Sequence, residues 1–236
     1  DQYARFDDDQ SGRRDQLGEV ARLIFDRIDQ GDWELEDLAT EVADAVQGRH
    51  LMVWSSDPEV QAAWEAVGAD GHLEPNSISV GLLNRGASKL DSWVDTTAEI
   101  VTEPADHDRR SVRIDYTITN RAPAEGPAYV VGPNVDGLGA GDHVALAVVN
   151  LPAGTTDVSM DGAEVFLIGG DGDTVVIGGE VAIPRGESVT VTVEGLLPAG
   201  LEDITLEPSA RVPRTEGVVD GRTYERDRRR TIDLGT

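Results

Sequence analysis

The 236-residue chain contains no cysteine, which excludes disulfides, thiolate metal sites and a cysteine nucleophile. Lysine is nearly as scarce, with Lys89 the single example. Positive charge is in short supply overall: 20 basic residues face 45 acidic ones, a formal charge of −25. Such a field repels phosphate backbones and anionic headgroups, so nucleic acid is not an expected partner. Arginine in place of lysine, with aspartate in excess, fits either a GC-rich coding bias or a salt-adapted surface, and composition leaves both open. No apolar run reaches the roughly 18 residues of a membrane span. The opening residues lack the charged, apolar and small succession of a signal peptide, so an export signal or anchor is expected only in sequence before Asp1.

Signatures of chemistry are sparse as well. There is no Gly-x-Ser-x-Gly elbow and no phosphate loop, and Ser88-Lys89 lacks the spacing of a serine–lysine pair. His50, His72, His107 and His143 show none of the i, i+4 spacing of helical metal sites, so solvated or capping roles are expected. Asp171 and Asp173 in Gly169–Asp173 suit a tight turn better than a calcium loop, which would need a closing glutamate. Neither a metal nor a cofactor is expected, and catalytic residues are not assigned.

Organisation is clearer. Leu17, Val20, Ala21, Ile24, Phe25 and Ile28 recur at helical spacing and form one apolar stripe that needs a cover. This predicts a helix from about Arg13 to Asp29, stopped at Gly31. A second helix carries Leu35, Leu38, Ala39, Val42 and Val46 and closes at Gly48. His50–Trp54 has strand length. A third helix begins at Ser55–Glu59, through either a Ser56/Glu59 capping box or an Asp57 cap followed by Pro58, and sets Val60, Ala63, Trp64 and Val67 on one face up to Gly68. Helix, helix, strand, helix is an α/β order with too few strands for a sheet.

From about Ile78 the period changes to two, and glycines and prolines punctuate roughly every ten residues. Ser111–Thr119 alternates with Val112, Ile114, Tyr116 and Ile118 on the inner face. Val189, Val191 and Val193 repeat the pattern, Ala163–Ile168 and Thr174–Ile177 flank a hairpin turn, and His143–Asn150 and Ile204–Leu206 add strands. The fold class expected is α+β. Residues 1–72 are the C-terminal part of an α/β domain with three helices and one strand, and residues 76–236 are an antiparallel immunoglobulin-like β-sandwich.

Trp33, Trp54, Trp64 and Trp93 are expected in core or domain-junction packing before carbohydrate stacking. Arg222, Arg226, Arg228, Arg229 and Arg230 make a basic end on an acidic protein, read as a solvated tail or charged edge strand, with a docking segment as the alternative. Arg13 and Arg14, after Asp7-Asp-Asp9, read first as a pair neutralising an acidic loop at a helix start.

Several stretches together resemble the actinobacterial envelope family known as domain of unknown function 4012. They are Tyr3, Arg5 and Phe6 with Arg13 or Arg14, then Val20–Arg27, His50–Ser55, Gly81–Asp91 and Thr117–Pro123, in order over roughly residues 1 to 155. The resemblance implies an exported protein anchored by a preceding membrane helix, and it singles out Asn84, Lys89 and Asp91. The family's N-terminal half is in turn similar to the LytR-CpsA-Psr phosphotransferases, which attach lipid-linked glycopolymers to peptidoglycan. By that similarity Arg13 or Arg14 would hold a pyrophosphate at a helix start, a favourable place for an anion. The second arginine of that pattern falls on Gln16, and acidic metal ligands would precede Asp1.

The expected function is a non-catalytic, extracytoplasmic cell-envelope protein whose sandwich assembles or binds. The alternative is a relative of a glycopolymer phosphotransferase acting on polyprenyl-pyrophosphate-linked substrates, its site completed upstream. The expected partner is another protein or the N-terminal half of the same precursor, with oligomerisation left open and membrane contact only through the upstream anchor.

Overall fold

A computed structural model describes residues 10–31, 33–224 and 227–235. Three helices come first: α1 (Gln10–Asp29), α2 (Leu35–Gln47) and α3 (Pro58–Ala66). Helix α3 starts where an aspartate and a proline act together. The Asp57 carboxylate accepts from the backbone N–H groups of Glu59 and Val60, and Pro58 fills the first position, where no N–H is needed. Between two alternatives left open by the sequence, the Asp57 cap is the one formed. Helix α2 closes on Gly48 as expected, but the left-handed residue is Arg49 (φ 58) and not the glycine (φ −82).

The remaining chain builds two six-stranded sheets. The first, sheet A, has the order β12-β9-β1-β4-β7-β6, and the second, sheet B, the order β11-β10-β2-β3-β8-β5. The strands are β1 (Ser77–Asn84), β2 (Val94–Ala105), β3 (Arg109–Asn120), β4 (His143–Leu151), β5 (Thr156–Asp161) and β6 (Glu164–Asp171). They continue with β7 (Thr174–Ile183), β8 (Ser188–Leu196), β9 (Asp203–Glu207), β10 (Thr215–Val219), β11 (Arg222–Tyr224) and β12 (Arg230–Asp233). A one-turn helix, α4 (Ala128–Val131), precedes β4. The fold is thus mixed α and β, with two largely antiparallel sheets.

One apolar cluster joins the sheets. Ile78, Ala147, Val149, Ile177 and Ile183 come from sheet A, and Ile100, Ile114, Tyr116, Val191 and Val193 from sheet B. Each is a residue that alternation points inward. Covering a side chain of this size is worth roughly 1.5–3 kcal/mol against leaving it in water, so this shared core dominates the energetics of residues 77–235. A smaller cluster of Leu90, Ala122, Val130 and Val131, with Trp93 against it, closes one end.

Three expectations are corrected. His50–Trp54 belongs to neither sheet: the His50 and Leu51 N–H groups both donate to the Ala45 carbonyl, at 2.8 and 3.1 Å, and the Val53 N–H donates to the Ala69 carbonyl at 2.7 Å. It has strand length without a neighbouring strand to complete the hydrogen bonds. Trp54 accordingly lies 77% exposed and Trp33 40%, neither of them core residues. The sheets are also not purely antiparallel: β1 pairs parallel with β9, and β2 parallel with β10. Strands late in the chain return beside early ones, which local patterning cannot register.

Candidate docking surface

Helix α1 carries its apolar stripe in the open. Leu17, Val20, Leu23, Ile24, Phe25 and Ile28 are all exposed, Phe25 by 70%. At about 3.6 residues per turn, Arg14, Leu17, Ala21, Ile24, Phe25 and Ile28 share one side. Asp15, Glu19, Arg22 and Asp26 follow the same spacing on the other, where Arg22 pairs with Asp26 at 3.2 Å. Arg14 heads the apolar side, and Asp15, Glu19 and Asp26 lie behind it.

The outward face of sheet A is a second apolar surface, half-buried at Val144, Leu146 and Val148 and exposed at Leu83 and along β6. On β4, Ala145, Ala147 and Val149 point into the core, so Val144, Leu146 and Val148 point out. Across the strands Leu83 lies beside Leu146, and Gly81 beside Val148. Val148 in turn lies beside Gly178, and Gly178 beside Leu167. The register slips by one residue between Val165 and Leu167, and Phe166 reaches over Gly178. A Cβ placed on that glycine would meet Val148 Cγ2 at 3.5 Å and Phe166 Cζ at 3.6 Å. The β6 edge is exposed throughout, including Val165, Phe166, Leu167 and Ile168. Among the described residues no helix packs extensively along a strand of either sheet.

The helical segment is fastened to one corner of this face through a buried carboxylate. Glu207 ends β9 with its side chain fully covered. Arg229 Nε lies 2.8 Å from Glu207 Oε1, and Arg49 Nη1 lies 3.6 Å from Oε2. Around it His50 Nε2 meets Asp227 at 2.7 Å, Arg228 meets Asp44 at 3.4 Å, and the Arg229 N–H donates to the Gln47 carbonyl. A cavity of about 70 Å³ opens beside this corner, lined in part by Ile100, Leu206, Tyr224 and Arg230.

The basic end of the chain is therefore shared among several places. Arg222 begins the edge strand of sheet B, Arg228 and Arg229 hold the helical segment, and Arg230 begins the edge strand of sheet A. Arg226 lies outside the described residues, as do Tyr3, Arg5, Phe6 and the acidic run Asp7–Asp9. The side chain of Arg13 is likewise outside them. Arg14 is exposed on α1 and Gln16 is half-buried. Asn84 donates to Asp91 at 2.8 Å and to the Ser88 carbonyl, a local turn brace. Asp171 accepts from Asn150, and Asp173 meets His72 at 3.2 Å beside the Gly172 turn. Among the described residues no three His, Cys, Asp or Glu side chains converge as a metal site would require. No described helix is long and apolar enough to cross a membrane.

One interior group was missed by sequence reading. His143 is fully buried, and neither ring nitrogen has a hydrogen-bond partner. Burial pushes its pKa below the ordinary value; Asp91 acts against that shift and Arg211 with it. Nothing in its local spacing distinguishes it from an exposed histidine. Its position as the first inward residue of β4 is the one available signal.

No family model matches this chain, and no curated protein matches it. Among solved structures it has a slight likeness to a candidate nutrient binding protein from Legionella pneumophila, at 10% identity and a TM-score of 0.28. The match covers 61% of this chain and 50% of that one, so the chain spans about half the length of that protein. An overlap this slight carries no functional argument.

Proposed function

We propose that this chain is a non-catalytic assembly or binding module of an extracytoplasmic cell-envelope protein. In this reading the two sheets form an immunoglobulin-like sandwich, and the helical segment is the C-terminal part of an α/β domain. The observation that carries it is the uncovered stripe of α1, an apolar face of a kind that soluble proteins reserve for contact with another surface. The resemblance to the envelope family supplies the compartment.

Fractionation and surface proteolysis of cells expressing the full-length precursor test the reading. Recovery with the envelope, and cleavage by protease added to intact cells, are the expected results. Recovery from the cytosol with complete protection would sink it. Binding of a polyprenyl pyrophosphate that Arg14→Ala abolishes would instead favour the phosphotransferase-like alternative.

A further inference from the structure

Two apolar surfaces face outward on the same chain, and their chemistry matches. We infer that α1 of one copy seats on the outward face of sheet A of a second copy, reciprocally, so that the chain forms a twofold dimer. This rests on the assembly reading above and names its partner.

Shape supports the seat. Gly81, beside Val148, leaves a shallow depression next to the ridge of Leu83 and Leu146, and Phe166, lying over Gly178, walls its far side. Outward from Gly81, a Cβ would find only the Val148 carbonyl oxygen, at 3.9 Å. At ~1.5 Å per residue the helix is about 30 Å long, which matches β4 at ~3.3 Å per residue. A helix laid on an apolar sheet face is one of the few stable ways to bury both.

Charge supports the choice of occupant. Glu164 lies directly across from Glu180, and Glu180 directly across from Leu146, so the depression is bordered by two like charges side by side. Neither carboxylate has an ion-pair partner among the described residues. A like pair of this kind is destabilising until a cation arrives. The apolar side of α1 brings Arg14 at its head and is flanked by Asp29 at its other end, with Asp15, Glu19 and Asp26 turned away. On a protein of net charge −25, this is a surface to which an acidic rim is complementary. Reciprocal exchange also uses the seat twice, which brings the buried area toward the roughly 1,200–2,000 Å² of stable interfaces.

The absence of native cysteine makes a direct test possible. Two versions of the chain with tags of different size, one carrying Ile24→Cys and the other Leu146→Cys, are mixed and oxidised after circular dichroism confirms folding. The mixed disulfide is expected at about tenfold or more over either homodimer, the ratio set by ~1.4 kcal/mol of preference. Sedimentation of the unmodified chain should show a dimer, which Glu180→Arg weakens about tenfold while Asp115→Asn, on sheet B, leaves it unchanged. Disulfides of Ile24→Cys with itself would mean helix against helix and overturn the proposal. So would those of Leu146→Cys with itself, or a monomer in sedimentation. Envelope localisation with a monomeric chain would leave the assembly reading standing and remove only this partner; a cytosolic dimer would do the reverse.

Discussion

Sheets A and B are alike inside and opposite outside. Both send alternate Val, Ile and Ala side chains into one cluster. Outward, sheet B is a woven polar surface. Arg113 pairs with Asp115 at 2.9 Å and with Glu194 at 2.8 Å, Thr192 donates to Asp115, Thr117 meets Thr190 at 2.9 Å, and Thr119 meets Ser188 at 2.8 Å. Sheet A presents Leu83, Val144, Leu146, Val148, Phe166 and Leu167 instead, with glycines among them. A sheet with one face on the core and one in water alternates in chemistry, whereas one covered on both sides does not. By that criterion sheet B has the composition of a face in water, and sheet A that of a face with a cover.

The shared interior sets the largest effect. Ile114→Ala in sheet B and Ile177→Ala in sheet A both empty fully buried positions, and each should cost about 2–5 kcal/mol in urea unfolding. Equal losses would place the two sheets in one cooperative unit. A second transition appearing with only one substitution would divide them.

Next in size is the corner where the helices meet sheet A. Glu207→Ala leaves Arg49 and Arg229 without the carboxylate they share, and about 1–3 kcal/mol should be lost. Limited proteolysis should then open the chain between Gln47 and Ala69 before either sheet is cut. Cleavage unchanged from the unmodified protein would show that other contacts hold the corner.

The inner faces were legible in sequence because β3 and β8 alternate strictly, and Val112, Ile114, Tyr116 and Ile118 are buried as alternation requires. The helices were legible from their punctuation, down to Asp57 and Pro58. The uncovered stripe of α1 was readable too, since no other segment near it supplies a matching face. The face of sheet A was present in His143–Leu151, where apolar residues occupy both alternating sets, but a buried strand and an uncovered one are written the same way. The corner was hidden for another reason. Glu207, Arg229 and Arg49 are far apart in the chain, and a parallel β1/β9 pairing sets the first of them across from Ser79, its carboxylate accepting from the Ser77 hydroxyl.

Acid should act on sheet A through His143. Because burial lowers its folded pKa, the unfolded chain takes up the proton first. Stability is therefore fully present above the ordinary value near 6.5 and declines as pH falls below it. His143→Phe should flatten that part of the profile. Persistence of the decline after the substitution would assign it to other groups.

The smallest effect belongs to the polar face of sheet B. Burial pushes the Asp115 carboxyl up, but hydrogen bonds from Arg113 and Thr192 and the Arg113 charge more than offset it, so its pKa lies below the ordinary value. That contribution is present above the ordinary carboxylate range and fades as pH falls through it. Since the pair is largely exposed, Arg113→Ala should cost little in urea unfolding, and salt should erase much of the difference. Leu146→Asn on sheet A should cost the isolated fold no more, because the side chain points away from the core, yet it should abolish any contact made through that face. Two outward substitutions with similar small effects on unfolding but opposite effects on association would show that the polar weave of sheet B completes a surface, and that the apolar face of sheet A awaits one.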